Sequence, residues 1–423
     1  MEKQSSLIWY NWHMFNKLFR EYKGLRRENY ILFFGRLMTN LGAMIWPVLT
    51  MILDQKLGMS AEKIAGYLVV FVLIGLPVSM IGGKIADRFD KKMNIVYCDI
   101  VSIVLLIVCS FIRLSLWSII LMAVAALAQL MESASYDSLV ADITPAADRE
   151  RAYSLNYLGA NIGLILSPTI AGFLFANYLW LSFLLSGLGI ASSTILIFFK
   201  IHNIKPVRES THYEVRRDGE SSLRVLLDNK VMLFYLIAIS LMGAAYNQLN
   251  YLIPLDMGAE HGATGAAIFG TMTSTNCIEV VIFMPLVTAW FRRLSETVKT
   301  LIGGVLIVAG LLMFRSLLGT VPMYYAAMTV FTLGEVFYTL PRSPYISNRT
   351  PASHRGRINS IQVIMSGAAS AVTQLIAGKL YDGMGSWPAW TFVLAVGTLA
   401  CVLSMLIIPL DKKAYPKIGG KNR

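Results

Sequence analysis

Three glutamates, Glu132, Glu279 and Glu335, each stand inside an apolar run long enough to cross a bilayer. An ionisable group at that depth costs at least about 2.5–3.5 kcal/mol on insertion scales, so each needs a reason to be there. A carboxyl in low dielectric can exchange its proton as neighbouring charge changes, which is the chemistry that proton coupling requires. The alternative is a permanently neutral group hydrogen-bonded to Tyr or Asn. Helical spacing gives each acid polar company. Gln129, Glu132, Ser133 and Tyr136 fall at i, i+3, i+4 and i+7, and Glu335, Tyr338, Thr339 and Arg342 repeat that spacing. Tyr246, Asn247, Asn250 and Tyr251 gather in one short stretch, and Asn276 and Glu279 with Thr275 in another. Asp99 and Asp137 lie nearer the ends of their runs and read as anchors. Arg36 reads as a snorkelling or structurally paired cation.

Other chemistries find no support. The five histidines are scattered without a Ser/His/Asp or metal spacing, so neither a catalytic set nor a metal site is expected. No phosphate-cradling GxxxxGK[ST] occurs, which disfavours ATP-driven work within this chain. All four cysteines (Cys98, Cys109, Cys277, Cys401) lie inside apolar runs as core thiols. An enzyme is not expected, and neither is a cofactor.

The elements that must position these residues come from a duplication. The stretch from Asp142 to Phe175 returns without a gap from Asn348 to Tyr381. Thr144, Pro145, Arg149, Arg151, Ser154, Ala171 and Gly172 meet Thr350, Pro351, Arg355, Arg357, Ser360, Ala377 and Gly378, a constant offset of 350 − 144 = 206 positions. That is about half of the 423 residues, so the chain reads as two copies of one unit. Twelve apolar helices are predicted: Ile31–Leu53, Ala61–Gly82, Met93–Ile112, Leu116–Val140, Ala152–Ala176 and Leu179–Phe199, then Val231–Ile253, Ala263–Trp290, Val298–Leu317, Met323–Ile346, Ile358–Leu380 and Trp387–Pro409. The first and seventh echo each other, since Asn40 precedes Pro47 as Asn247 precedes Pro254. The expected divisions are 1–30, an N-terminal segment; 31–199 and 231–410, two six-helix bundles; 200–230, a linker; and 411–423, a tail. A duplicated membrane chain of this kind is first of all a transporter hypothesis.

Composition agrees with lipid as the solvent: 56% hydrophobic and only 15% charged residues, against about 25% charged in a soluble domain. Net charge is +12, yet roughly 31 of the 37 Lys and Arg fall in alternate loops, so the excess describes topology rather than nucleic-acid binding. By the positive-inside rule both termini and the linker are cytoplasmic. The segment Leu7 to Tyr30 interleaves aromatic and basic residues and suits either an amphipathic surface helix or a positive topogenic flank.

The loop after the second helix reads Gly83-Lys84-Ile85-Ala86-Asp87-Arg88-Phe89-Asp90-Lys91-Lys92. It resembles motif A of the major facilitator superfamily, with Asp90 in place of the second glycine and Lys91 in place of an arginine. The fifth helix carries Gly163, Ser167, Pro168, Ala171 and Gly172, similar to motif C of the drug:proton antiporter branch, with Ser167 and Ala171 as small substitutes for glycine. One departure stands in the fourth helix, where Ala126 occupies the place three residues before Gln129 that usually holds arginine. The resemblance implies an all-α membrane protein of two pseudo-symmetric six-helix bundles around a central cavity, lined by Asn40, Gln129, Tyr136, Tyr246, Asn247, Asn250, Tyr251, Asn276 and Tyr338. It implies that Gly83, Asp87, Arg88, Lys91 and Asp142 form a cytoplasmic latch, Asp87 at the N-terminus of the eleventh helix and Lys91 beside Asp142. In physical terms Asp87 suits a helix N-terminus, worth about 0.3–1 kcal/mol. The stripe Gly159, Gly163, Ser167 and Ala171 lets another helix approach closely, and Pro168 permits a bend.

The function expected is proton-coupled export of an amphipathic cationic or neutral small molecule, with Glu132, Glu279 and Glu335 as candidate proton carriers. The expected partners are that substrate, protons and lipid, with the chain acting as a monomer in a bacterial plasma membrane. The alternatives are a nutrient symporter, against which motif C and the acidic, aromatic polar set argue, and a lipid flippase or membrane sensor on the same fold. A sensor would need a soluble output domain for which the linker is too short.

Overall fold

The computed structural model describes residues 23–145, 148–201, 226–291, 293–317, 319–349 and 355–416. The expected surface segment before residue 23, the body of the linker and the end of the tail lie outside the described residues, as do the surroundings of Gly83 and the side chains of Asp87 and Arg88. Among the described residues the secondary structure is helical throughout. Eleven helical segments among the described residues are long and apolar enough to cross a membrane. The segment expected at Met323–Ile346 is not among them. It appears as two helices, α12 (Val321–Thr339) and α13 (Arg342–Arg349). Its tyrosines, threonines and Glu335 dilute the apolar character that the other spans keep.

The first and seventh segments are broken, and at matching places. Helix α1 (Arg27–Leu41) stops before Gly42, and α2 (Ile45–Met51) resumes and runs into a π-helical turn, Ile52–Lys56. In the second copy α8 (Lys230–Tyr246) passes into a 3-10 turn, Asn247–Asn250, before α9 (Leu252–His261). Pro47 and Pro254 each stand third in the resumed helix. There a missing N–H removes no intrahelical bond. The shared Asn-to-Pro spacing therefore marks a break rather than a site.

The remaining helices run in order: α3 (Ala61–Arg88), α4 (Lys91–Phe111), α5 (Leu116–Ile143), α6 (Arg149–Leu174), α7 (Leu179–Lys200), α10 (Ala263–Trp290), α11 (Glu296–Ser316), α14 (Arg355–Met384) and α15 (Ser386–Ala414). By proximity the described residues form two compact units. One falls in Met1–Met44, Gly75–Ser167 and Trp180–Ser210, and the other in Ile45–Ile74, Pro168–Leu179 and Thr211–Arg423. The second unit thus includes the ends of three first-half segments.

Two departures from the family motifs have local physical accounts. Asp90 stands at φ −62° and its carboxylate accepts the Met93 N–H at 2.8 Å, so it caps α4 and no glycine is needed there. The small-residue stripe on α6 is a contact surface. A Cβ added at Gly163 would lie 2.5 Å from the Leu37 carbonyl oxygen and 2.8 Å from Leu41 N, and one at Gly159 would lie 2.8 Å from the Phe33 carbonyl oxygen. Ser167 and Ala171 are fully buried. Helix α6 therefore lies against the backbone of α1 itself. Because backbone cannot give way as a side chain does, Gly163→Ala is expected to lower stability by about 1–3 kcal/mol, seen as a fall in the melting temperature of the purified protein in detergent. Gly66→Ala, with nothing within 4 Å of the added carbon, is the control expected to leave it unchanged.

Candidate functional site

In the first unit four helices contribute to one buried polar chain. Glu132 on α5, 4% exposed, faces Arg36 of α1 with Nη1 3.9 Å from its carboxylate, while Arg36 Nη2 lies 3.6 Å from Asp137. The guanidinium also sits over the Tyr136 ring, 4.3 Å from its centroid. Tyr136 donates its hydroxyl to the Leu32 carbonyl, strapping α5 to α1. Behind Glu132, Gln129 Nε2 donates to Asp99 at 2.9 Å and to Ser102 at 3.2 Å, and Thr194 of α7 donates to the other Asp99 oxygen at 2.6 Å. Two carboxyls, Glu132 and Asp137, thus share one guanidinium at long ion-pair distance, and a third, Asp99, lies behind them held by neutral donors. With all three ionised the chain would carry a net charge of about −2, unfavourable where two of the three, Asp99 and Glu132, are almost fully buried. The arrangement has room for a proton or a cation.

The second unit solves the problem with neutral donors. Glu335 of α12 accepts from the Tyr246 hydroxyl at 2.9 Å on one oxygen and from Asn276 Nδ2 at 2.9 Å on the other. Asn276 also reaches Thr332, again at 2.9 Å. The Tyr246 ring stacks on Phe331, centroids 5.2 Å apart. One turn along α10, Glu279 takes the Thr329 hydroxyl at 2.5 Å, and its second oxygen is buried without a partner among the described residues. Asn247 donates to Ser370 of α14 at 2.7 Å. Tyr338, the repeat mate of Glu132 (132 + 206 = 338), donates to the Ile239 carbonyl at 2.6 Å, the same kind of strap as Tyr136. The acid of one copy is therefore a packing tyrosine in the other.

The structure joins Glu132, Gln129, Tyr136 and Arg36 in one group and Glu335, Tyr246 and Asn276 in another. It leaves several expected residues apart. Asn40 bonds the Arg36 carbonyl within its own helix, Asn250 is exposed, and the Tyr251 hydroxyl donates to the Ala61 carbonyl at 2.6 Å. Lys91 and Asp142 form the ion pair that the motif A resemblance implies. Arg36 is paired rather than snorkelling.

Asp99 is the main surprise. It is 3% exposed and the hub of the first network, where an anchor was expected. Its signal was present in Ser102 one turn on and in the apolar run around it. At the other end of the second half, Arg349 of α13 holds Asp411 with Nε at 2.7 Å and Nη2 at 2.8 Å, and pairs with Glu296. Burial opposes its charge, but the hydrogen bonds it donates to Asp411 and Glu296 outweigh this and hold the guanidinium above its usual range. In each half a salt bridge joins the start of one helix to the end of a later one, Lys91 of α4 to Asp142 of α5 and Glu296 of α11 to Arg349 of α13, with the signs reversed.

Residues 32–373 match the family described as Major Facilitator Superfamily. The chain belongs to that superfamily. It is similar to a Na(+), Li(+), K(+)/H(+) antiporter of Planococcus maritimus, 22% identical, covering 74% of this chain and 80% of the relative. It is also similar to multidrug resistance protein 1 of Bacillus subtilis (strain 168), 26% identical, covering 86% and 91%, and to quinolone resistance protein NorA of Staphylococcus aureus (strain Mu50 / ATCC 700699), 23% identical, covering 94% and 100%. Among solved structures, the peptide transporter POT in complex with sulfate superposes with a TM-score of 0.74 at 16% identity, over 92% of this chain and 94% of that one. The nucleoside transporter NupG gives 0.71 at 15% identity, over 92% and 100%. The protein is accordingly a multi-pass membrane transporter of the major facilitator superfamily, with the fold of that superfamily, and not an enzyme.

The network around Arg36 makes a stability prediction of its own. Arg36→Gln leaves Glu132 and Asp137 without their shared cation and should lower the melting temperature markedly, whereas Arg36→Gln combined with Glu132→Gln should recover part of the loss. A double-mutant cycle in detergent is expected to give a coupling of about 0.5–3 kcal/mol. Strictly additive effects would mean that the two groups do not interact.

Proposed function

We propose that this transporter exchanges protons for amphipathic cationic or neutral small molecules, exporting them by alternating access. The observation that carries the reading is the pairing of Glu335 with neutral donors alone, beside the Tyr246–Phe331 stack. A carboxyl set next to aromatic faces attracts an organic cation by charge and by the ring quadrupoles. The same carboxyl cannot hold a proton and balance a bound cation at once. That mutual exclusion is the thermodynamic content of antiport. Glu132, balanced in part by Arg36, and Glu279, with one unpartnered oxygen, are further proton carriers in this reading, and Asp87 with the Lys91–Asp142 pair forms its cytoplasmic latch. The drug-resistance relatives support the substrate class.

A second reading, exchange of alkali cations for protons, is favoured by the antiporter of Planococcus maritimus and by the excess of carboxyls around Arg36. One assay separates the two. In proteoliposomes holding a pH gradient, tetraphenylphosphonium should dissipate the gradient through the wild-type protein, and Glu335→Gln should slow this at least about tenfold, with Glu132→Gln acting in the same direction. Dissipation by Na+ or K+ but not by the organic cation would select the second reading. No dissipation by either would reject antiport altogether.

In this reading the protein works in a bacterial plasma membrane as a monomer with both termini cytoplasmic. A cysteine at Ser210 should then be labelled only from the cytoplasmic side and one at Lys63 only from outside; the reverse pattern would invert the orientation.

A further inference from the structure

We propose that Asp382 is a positioning residue for transport: a carboxylate clamp at the outer end that caps α3 and holds it to α14. The proposal rests on the transporter reading and on the orientation proposed above. The start of α3 leaves its first amides without intrahelical partners. Ser60 takes the Lys63 N–H at 3.5 Å, and its carbonyl takes that of Ile64 at 3.0 Å. The two remaining donors, Ala61 N and Glu62 N, go to Asp382, one to each carboxylate oxygen, at 2.9 and 2.7 Å. Asp382 lies more than three hundred positions away, near the end of α14. Charge-assisted bonds of this kind are about twice as strong as neutral ones, and the carboxylate also faces the positive end of a long helix.

The rest of the contact is built for close approach. The Ala61 carbonyl accepts the Tyr251 hydroxyl at 2.6 Å. A Cβ added at Gly378, one turn before Asp382, would lie 2.9 Å from the Ala61 carbonyl oxygen and would collide with the Tyr251 hydroxyl.

The duplication supplies the control. Gly378 is the repeat mate of Gly172 (172 + 206 = 378), and Ala61 that of Ala267 (61 + 206 = 267). Gly172 meets the backbone of Ala266 and Ala267, one position from the matching register, so the α6–α10 and α14–α3 contacts are related crossings, although α10 begins four residues earlier and its matching amides lie inside the helix. At the place matching Asp382 the first copy has Ala176 (382 − 206 = 176). The crossing packs without a carboxylate in one copy, so packing alone does not require Asp382 in the other. What the carboxylate adds is an interaction lost when the two helix ends part, as they must each time the outer side opens. Motif A places Asp87 at the opposite end of α3, so one helix carries an acid-based device at each end.

The test uses the full chain with its four cysteines replaced and spin labels on Lys63→Cys and Met384→Cys, both exposed, with distances measured in lipid nanodiscs without substrate or gradient. The parent should give a dominant short distance. Asp382→Ala should lower the ratio of short to long populations at least about tenfold, the equivalent of about 1.4 kcal/mol. Asp382→Asn, which keeps the shape and one acceptor, should lie between, and it carries the test if the alanine variant does not survive purification. Asp382→Glu should restore part of the short population. Gly378→Ala should shift the populations the same way through sterics alone. Unchanged distance distributions in Asp382→Ala and Asp382→Asn would overturn the proposal, whatever Gly378→Ala does. Because neither substrate nor protons enter the measurement, a wrong substrate class leaves its outcome untouched.

Discussion

A carboxyl placed in hydrocarbon must find a partner, a proton or a counter-ion, and much of this structure can be read as answers to that constraint. Hydrocarbon offers no water to satisfy a stray polar group, and a buried charge costs several kcal/mol even after relaxation. The first half answers with one guanidinium set among three carboxyls and a strap from Tyr136. The second answers with Tyr, Asn and Thr alone. Near the ends of the helices the same demand produces full pairing instead, as in Arg349 with Asp411 and Glu296. Fully paired charges brace the scaffold, and the underpaired ones are those that the proposed exchange would use.

Close packing supplies the rigidity on which that exchange depends. Helix α6 lies against the backbone of α1 at Gly159 and Gly163 and against α10 at Gly172. Contacts of backbone on backbone leave little room for adjustment, so added bulk at these glycines must displace a whole helix. Thr169 and Ser274 hydrogen-bond across the α6–α10 crossing at 2.7 Å, next to the Pro168 that motif C contributes. The motif thus has a mechanical meaning that stands without any appeal to its relatives.

Much of this was legible in the sequence because duplication and hydropathy are long-range, redundant signals. The 206-residue offset carries over into three dimensions, where Gly172 and Gly378 make related contacts. The polar faces of α5 and α12 were readable from helical spacing. The partners of those faces were not. Spacing within one helix cannot say that Gln129 turns to Asp99, or that Glu335 is met by Tyr246 and Asn276 from two other helices. Asn40, Asn250 and Tyr251 looked like lining residues because a polar residue in an apolar run carries the same signature whether it lines a site or satisfies backbone at a helix break. The tenth expected segment, which contains α12, falls short as a span for a related reason: its tyrosines, threonines and Glu335 lower its hydropathy. Asp382 carries no signal of its own in the sequence, since an acid at the end of an apolar run looks like an ordinary helix terminus until its partner is seen.

In the proposed antiport a bound organic cation and a bound proton compete for the same carboxyl groups. Calorimetric titration of the detergent-solubilised protein with tetraphenylphosphonium, repeated near neutral pH in two buffers of different ionisation enthalpy, reads that competition directly. The account predicts that protons are released as the cation binds, so the apparent heats differ between buffers in proportion to their ionisation enthalpies. Clear binding with identical heats in both buffers would contradict it.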